Sequence, residues 1–370
     1  MTTEFDTRMM SRALRLARKG RYSAMPNPHV GCVLVRDGEI VGEGFTQPAG
    51  GNHAEIQALE AAGNAQGTTA YVTLEPCSHQ GKTGPCADAL IAAGVSRVVV
   101  AMQDPNPIVG GNGLEKLLAA GVEVECGLLQ AEAEAMIPGF IARMRTGRGR
   151  VRAKLAMSVD GRTAMASGES QWITGPEARA DVQRLRAMSC AIVTGVGTVL
   201  GDDCSLTVRE QALNLPPAEA ALAARRQPLR VVLDSQLRTP PGAKVLDGSA
   251  PTLLCHDTQV EPTAELIAAG VDRLPLDRAG SGLDLLAMLD FLTARQSNEI
   301  LVESGPHLAG AMLQLGLLDE LIIYMAPTLM GSSAMPLLQL PLDRMAQKVP
   351  LLIEDIRAVG RDWRITAVPG

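Results

Sequence analysis

The chain has 370 residues, 46% of them apolar, with a net charge of −6 and an aromatic content of 2%. That length allows two domains, each with its own core, and no apolar run approaches the roughly 18 residues of a membrane span. An acidic, aromatic-poor chain lacks the basic stripe and stacking side chains that nucleic-acid binders combine, so neither a nucleic acid nor a membrane is expected as partner.

Residues 6–19 read as an amphipathic helix with Met9, Ala13, Leu16 and Ala17 on one side. Apolar runs at 30–35 and 39–41 flank Arg36-Asp37-Gly38, a hairpin signal. Helix formers from His53 to Ala62, an apolar strand at 70–74 ended by Glu75-Pro76, and a second helical segment from Cys86 to Ala93 come next. A strand at 98–100, a helix near 114–120 and a strand at 122–124 complete the pattern. Strands alternating with helices after an opening hairpin predict a three-layer α/β domain that closes near residue 125. Residues 130–145 read as a helical tail leading out of it, and the basic, glycine-bearing stretch 145–150 as a linker. A second α/β pattern follows, with strands at 151–157, 191–194, 229–234, 252–255, 300–303 and 321–326. Pro176 opens a helix to Ala187, and segment 211–228 reads as a loop or short helix. The domains are placed at 1–147 and 148–370.

The chemistry is concentrated in His53-Ala54-Glu55, Pro76-Cys77 and Cys86. A catalytic zinc takes three protein ligands and keeps a fourth position for water. One His and two Cys meet that count, and Glu55 lies beside them as a proton carrier. The order matches the H-x-E…P-C signature of nucleobase deaminases, although eight residues rather than two separate the cysteines. His53 and Cys86 fall at predicted helix starts, where free N–H groups and the positive dipole end favour thiolate. A structural zinc would recruit a fourth ligand, for which His79 is the candidate, and a metal-free reading leaves two buried cysteines and a helical His. Seven cysteines without framework spacing, and residues 1–6 without a basic or apolar signal region, fit a reducing cytoplasm. Cys32, Cys126, Cys190, Cys204 and Cys255 read as buried or free thiols, and His256 as incidental.

The second half carries polar turns at predicted strand ends: Lys154 with Ser158-Val159-Asp160-Gly161-Arg162, Gly168 to Thr174, Gly195-Val196-Gly197-Thr198 with Asp202-Asp203, and Glu303 to Gly310. Glycines at a strand-to-helix turn let backbone N–H groups approach a phosphate. Together with Asn27-Pro28-His29-Val30-Gly31-Cys32-Val33, Thr73-Leu74-Glu75-Pro76-Cys77-Ser78-His79, Gly84-Pro85-Cys86 and Asp104-Pro105-Asn106-Pro107, these segments carry a resemblance. Over nearly its whole length the chain resembles the bacterial bifunctional riboflavin-biosynthesis family, a pyrimidine deaminase fused to a reductase.

The resemblance implies a cytidine-deaminase-like three-layer α/β/α domain followed by a dihydrofolate-reductase-like α/β domain. It implies hydrolytic deamination of a diaminopyrimidinone ribosyl phosphate, then NADPH-dependent reduction of the ribosyl group to ribityl. One zinc per chain would be held by His53, Cys77 and Cys86, with Glu55 as catalytic proton shuttle. Asn27, His79, Lys82, Asp104 and Asn106 would line the deaminase pocket, Lys82 being either a phosphate ligand or a solvated loop lysine. NADPH would lie near Ala156, Trp172, Thr198, Asp202 and the turn formed by Gly305, Pro306, His307, Leu308, Ala309, Gly310 and Ala311. The reductase substrate would meet Ser170, Arg186, Leu206, Arg209 and Glu303. Arg186 and Arg209 would clamp its phosphate or form ordinary surface ion pairs, Trp172 alternatively being a core aromatic and Lys154 a structural charge. The implied partners are small phosphoribosyl pyrimidines and a second copy of the chain, in a dimer or tetramer built through the reductase domains. Departures from the family pattern are Ile137 for Asn, Gly149-Arg150 for a Pro-aromatic pair, and Cys204 for Pro.

Overall fold

Asp37 and Gly38, with φ of 53° and 81°, take the left-handed conformations that a tight hairpin turn needs. They join β1 (Gly31–Arg36) to β2 (Glu39–Phe45). This hairpin lies in the first of two units of the computed structural model, Met1–Arg148 and Gly149–Gly370, in which residues 3–78, 84–107 and 109–370 are described. Before it runs α1 (Glu4–Ala17), started by a capping box between Thr3 and Asp6. After it come α2 (Ala54–Ala62), β3 (Thr69–Val72), α3 (Cys86–Ala92), β4 (Arg97–Val100), α4 (Asn112–Ala119) and β5 (Glu123–Cys126).

The sheet order is β2-β1-β3-β4-β5, antiparallel from β2 to β3 and parallel from β3 to β5. Gly31 pairs with Phe45 and Cys32 with Gly44, so Gly31 and Gly44 face opposite sides of the sheet. A Cβ on Gly31 would run into the Ala13 carbonyl of α1, and one on Gly44 into the Ala54 carbonyl of α2. The two glycines thus let helices press onto the strands from either side, which produces the α/β/α layering.

The expected helical tail does not leave this domain. It is broken at Pro138 into α5 (Gln130–Glu134) and α6 (Pro138–Thr146). Ala133, Ile137 and Ile141 bury against the core of Val33, Leu34 and Val99. Because α6 runs to Thr146 and the next strand starts at Arg150, the expected 145–150 linker shrinks to residues 147–149.

The second unit contains β6 (Arg150–Ser158), β7 (Arg162–Ala164), α7 (Pro176–Ala187), β8 (Ala191–Gly195), α8 (Val196–Asp202), α9 (Pro217–Ala224) and β9 (Leu229–Leu233). It continues with β10 (Thr252–Asp257), α10 (Ala264–Ala268), β11 (Asp272–Leu276), β12 (Arg278–Ala279), β13 (Gly282–Leu283), α11 (Leu285–Ala294) and β14 (Glu299–Glu303). The last elements are α12 (Pro306–Gln314), β15 (Glu320–Ala326), β16 (Met335–Pro336), β17 (Leu351–Val359) and β18 (Asp362–Pro369). Among the described residues the main sheet has nine strands in the order β11-β10-β9-β8-β14-β6-β15-β18-β17. It is parallel from β11 to β15 and antiparallel through β18 and β17.

Side-chain alternation explains the layers here too. Ile300 and Val302 of β14 pack with Leu289 of α11 and Met312 of α12, whereas Leu301 between them packs with Val182 and Leu185 of α7. A strand covered on both faces carries a continuous apolar run, as β14 does. The exception is the edge: Leu352, Ile353, Ile356 and Trp363 of β17 and β18 are exposed. No helix among the described residues is long and apolar enough to cross a membrane.

Candidate active site

His53 caps the N-terminus of α2, and Cys86 is the first residue of α3. Cys77 follows β3 through Glu75-Pro76. These three elements bring one ring nitrogen and two sulfurs within 4.8 Å of one another. His53 Nδ1 lies 3.7 Å from Cys77 Sγ and 3.3 Å from Cys86 Sγ. The Cys86 N–H at the helix start donates to Cys77 Sγ at 3.3 Å. Hydrogen bonds from Cys86 and His53 hold the Cys77 thiol well below its ordinary value in spite of burial. One imidazole nitrogen and two cysteine sulfurs, with no fourth protein donor drawn in among the described residues, form a donor set that suits catalytic zinc.

Glu55 is the second residue of α2, in its first turn, and is 4% exposed. Burial, and then the Cys77 sulfur, push its carboxyl up to about 7. It also reaches the Cys86 side chain. A carboxyl group poised near neutrality, against the metal donors and shielded from bulk water, is equipped to take a proton and return it.

The other described residues expected to line the deaminase pocket come to the same end of the sheet. Asn27 is half-buried in the loop before β1, whose Gly31 N–H donates to Thr73 Oγ1 at 3.1 Å. Asp104 and Asn106 share a turn in which the Asn106 N–H donates to Asp104 Oδ1 at 2.9 Å. His79 and Lys82 lie outside the described residues. Sequence reasoning missed Glu75, whose buried carboxylate accepts the N–H groups of Asp104, Gly111 and Gly113. Its only sequence signal was its place two residues before Cys77.

In the second unit, Ala156, Thr198 and Glu303 stand at or just beyond the carboxyl ends of β6, β8 and β14, which are adjacent parallel strands. That end of an open parallel sheet is where ligands collect. The Gly305 N–H donates to Thr198 Oγ1 at 3.3 Å, and Ser170 Oγ donates to Asp202 Oδ1 at 2.8 Å. A Cβ placed on Gly197 or Gly305 would meet nothing within 4 Å. Open space therefore lies before α12, whose first turn carries Pro306, exposed His307 and half-buried Leu308. Free N–H groups at a helix start with room in front of them fit a dinucleotide phosphate. Ala309 is buried in the core, Gly310 packs on the Gln339 backbone, and half-buried Ala311 lies against the same core.

Arg186 is neither a free phosphate clamp nor a surface pair. Its Nε and one terminal nitrogen donate to the two Glu303 oxygens at 2.6 and 2.9 Å, and the other terminal nitrogen donates to the Thr207 carbonyl. Both side chains are largely buried, at 13% and 8% exposure. Burial would raise the Glu303 carboxyl, but Arg186, then Lys154 and Arg209, hold it below its ordinary value. Lys154 is pushed down by burial, with Glu303 opposing, so it belongs to this cluster. Arg209 remains exposed. The Cys204 thiol, next to the same groups, is pushed up to about 11 by burial and by Glu303.

One other expectation changes, and one alternative falls away. Leu206, at φ 50°, buries its side chain with Val182 and Tyr324, so it does not present that side chain to a cleft. Trp172 is not a core aromatic: it is 68% exposed, stacks 4.7 Å from the Arg179 guanidinium, and lines a cleft of about 480 Å³ with Ser170 and Arg361. His256 is buried, with Nδ1 3.0 Å from the Asp257 carbonyl oxygen.

Known proteins match both units. The cytidine and deoxycytidylate deaminase zinc-binding region matches residues 3–102, and the RibD C-terminal domain matches residues 150–364. The riboflavin biosynthesis protein RibD of Escherichia coli is 51% identical over 367 residues, covering 96% of this chain and 97% of that protein. The structure of Acinetobacter baumannii RibD superposes with a TM-score of 0.90 at 44% identity, covering 99% of both chains. A Thermotoga maritima structure, described as a diaminohydroxyphosphoribosylaminopyrimidine deaminase and 5-amino-6-(5-phosphoribosylamino)uracil reductase, gives 0.84 at 30% identity, again over 99% of both.

Fold and site together define a zinc-deaminase domain joined in one chain to a reductase domain. Such coverage at these identities is more specific than a shared domain. The chain belongs to the RibD family of bifunctional deaminase–reductases of riboflavin biosynthesis.

Proposed function

We propose that the first unit deaminates 2,5-diamino-6-ribosylamino-4(3H)-pyrimidinone 5′-phosphate and that the second reduces the product, 5-amino-6-(5-phosphoribosylamino)uracil, with NADPH. The observation that carries this is the His53, Cys77 and Cys86 donor cluster with Glu55 buried against it, in a chain matched from end to end by deaminase–reductases. Zinc held there supplies a nucleophile from water near neutral pH. Glu55 takes one proton from the attacking water and delivers it to the ring nitrogen, then passes the water's second proton to the departing ammonia. Asn27, Asp104 and Asn106 orient the pyrimidine, and Lys82, which the family resemblance assigns to the pocket together with His79, offers a charge for the ribosyl phosphate.

In the second unit NADPH supplies the hydride, and the chain supplies binding and orientation. The Gly305–Leu308 turn and Thr198 receive the cofactor phosphates, with Ala156, Trp172 and Asp202 along its length. Arg186 fixes Glu303 in one orientation toward the ribosyl group, and Ser170 is fixed by Asp202. With the Arg186 fork committed to Glu303, the substrate phosphate falls to the exposed Arg209.

The partners in this reading are small phosphoribosyl pyrimidines and a second copy of the chain. Exposed Leu352, Ile353, Ile356 and Trp363 at the sheet edge support pairing through the reductase unit. Seven cysteines, none of them in a disulfide, support a cytoplasmic setting.

A time course recording ammonia and NADPH absorbance in one sample tests the reading. Ammonia should appear first and without any need for NADPH. NADPH oxidation that precedes ammonia release, or comparable deamination of cytidine or guanine without NADPH binding, would contradict it.

A further inference from the structure

The deaminase reading leaves open what sets the distance between the pyrimidine-binding turn at Asp104 and the metal ligands. Among the described residues no helix or strand lies between β4, which ends at Val100, and α4, which starts at Asn112. Its own backbone supplies local hydrogen bonds, from the Val109 and Gly110 N–H groups to the Asn106 carbonyl, but placing the turn against the metal ligands needs a contact from outside it. The Glu75 carboxylate performs that task from two residues before Cys77. Its Oε2 accepts the Asp104 N–H at 3.0 Å and the Gly111 N–H at 2.9 Å, and its Oε1 accepts the Gly113 N–H at 2.8 Å. It is 5% exposed, so water does not compete for these donors.

One side chain thus closes both ends of the 104–113 segment onto the strand extension that carries Cys77. The start is held through Asp104 and the end through Gly111 and the first turn of α4. Close packing completes the clamp, since a Cβ on Gly113 would run into the Pro76 carbonyl oxygen. The effect passes along the turn, because Asp104 uses its own carboxylate to hold the Asn106 N–H.

We infer that Glu75 is the positioning residue of the deaminase pocket, locking the Asp104–Asn106 turn in register with the zinc ligands without itself touching zinc or substrate. This rests on the reading that Asp104 and Asn106 meet the pyrimidine. A preformed turn removes a conformational penalty from binding. Loss of the clamp should therefore appear in KM, while kcat at saturation stays near its original value.

The test uses the full chain with zinc bound and measures deaminase KM and kcat, zinc content and reductase activity in each variant. In Glu75→Gln the single oxygen keeps at most the bonds made by one carboxylate oxygen, and in Glu75→Ala all three are lost. Deaminase KM should rise about tenfold for Gln and about a hundredfold for Ala, with kcat within about threefold, full zinc and unchanged reductase activity. Wild-type KM in Glu75→Gln overturns the inference even if Glu75→Ala fails to hold zinc. A parallel loss of zinc and kcat in both variants also overturns it, assigning Glu75 to the fold alone. Asn106→Ala separates the two layers of the argument. A raised KM there with a normal KM in Glu75→Gln removes only the clamp, whereas a normal KM in Asn106→Ala removes the pocket reading beneath it.

Discussion

Arg186→Ala breaks the best-formed buried ion pair in the reductase unit. Arg186 gives Glu303 two parallel hydrogen bonds, at 2.6 and 2.9 Å, with both side chains largely buried. Removing one partner of such a pair typically costs about 3–5 kcal/mol, because the other charge stays buried alone. Glu303 would not be wholly alone here, since Lys154 and Arg209 also stabilise its charge, which places the expectation near 3 kcal/mol. For a unit of this size that corresponds to a fall of roughly 6–12 °C in the reductase melting transition. Differential scanning calorimetry of the full chain reads that transition, and NADPH oxidation reads the activity. The double variant Arg186→Met with Glu303→Leu buries apolar groups instead and should recover most of the stability, while reduction stays lost. A single variant that melts within about 2 °C of the parent, or a double variant no more stable than the sum of the two singles, would refute the reasoning.

Three further outcomes are expected. Glu55→Gln keeps the shape of the buried side chain but removes the proton carrier, so zinc should stay bound while kcat for ammonia release falls about 10²–10⁴-fold; unchanged turnover would sink the assignment. Removing the metal with a chelator should abolish deamination and leave reduction of supplied deaminated substrate intact, because the donor cluster lies wholly within the first unit. Asp6 provides a pH test. Burial would raise its carboxyl, but Arg97, Tyr71 and Thr3 outweigh that and hold it well below the usual carboxylate range. Its contribution is then present above about pH 4 and is lost as pH falls through its folded value. Asp6→Asn should lower stability at pH 7 by about 2–3 kcal/mol, and acid titrations of variant and parent should converge at low pH; a constant gap would contradict the sign.

Local signals in the sequence were strongest where one residue type has one structural use. Pro176 starts α7 and Ala187 ends it as expected, and Asp37-Gly38 turns the hairpin because few other pairs accept two positive φ angles. His53 and Cys86 land at helix starts because the metal needs donors there. The β17–β18 hairpin was not legible: a register shift between Ile353 and Asp355 breaks the period-two pattern, and the edge strand hides no apolar face. The 130–145 tail was misread because a helix that leaves a domain and one that folds back on it share the same periodicity. The clamp at Glu75 and the fork between Arg186 and Glu303 were equally invisible, since their partners lie 29 and 117 residues away. Lys154 was visible as a charge in a strand but became part of a site only when β6 and β14 were seen to be neighbours.

The central claim is that one chain carries out two consecutive reactions at two independent sites. Mass spectrometry of the phosphoribosyl diaminopyrimidinone, incubated with the protein with and without NADPH, tests it most directly. Without NADPH the product should have exchanged one amino group for oxygen and changed no further. With NADPH the same product should gain two hydrogens on its ribosyl portion. Hydrogen gain without loss of the amino group, or a requirement for NADPH before any ammonia is released, would contradict the account.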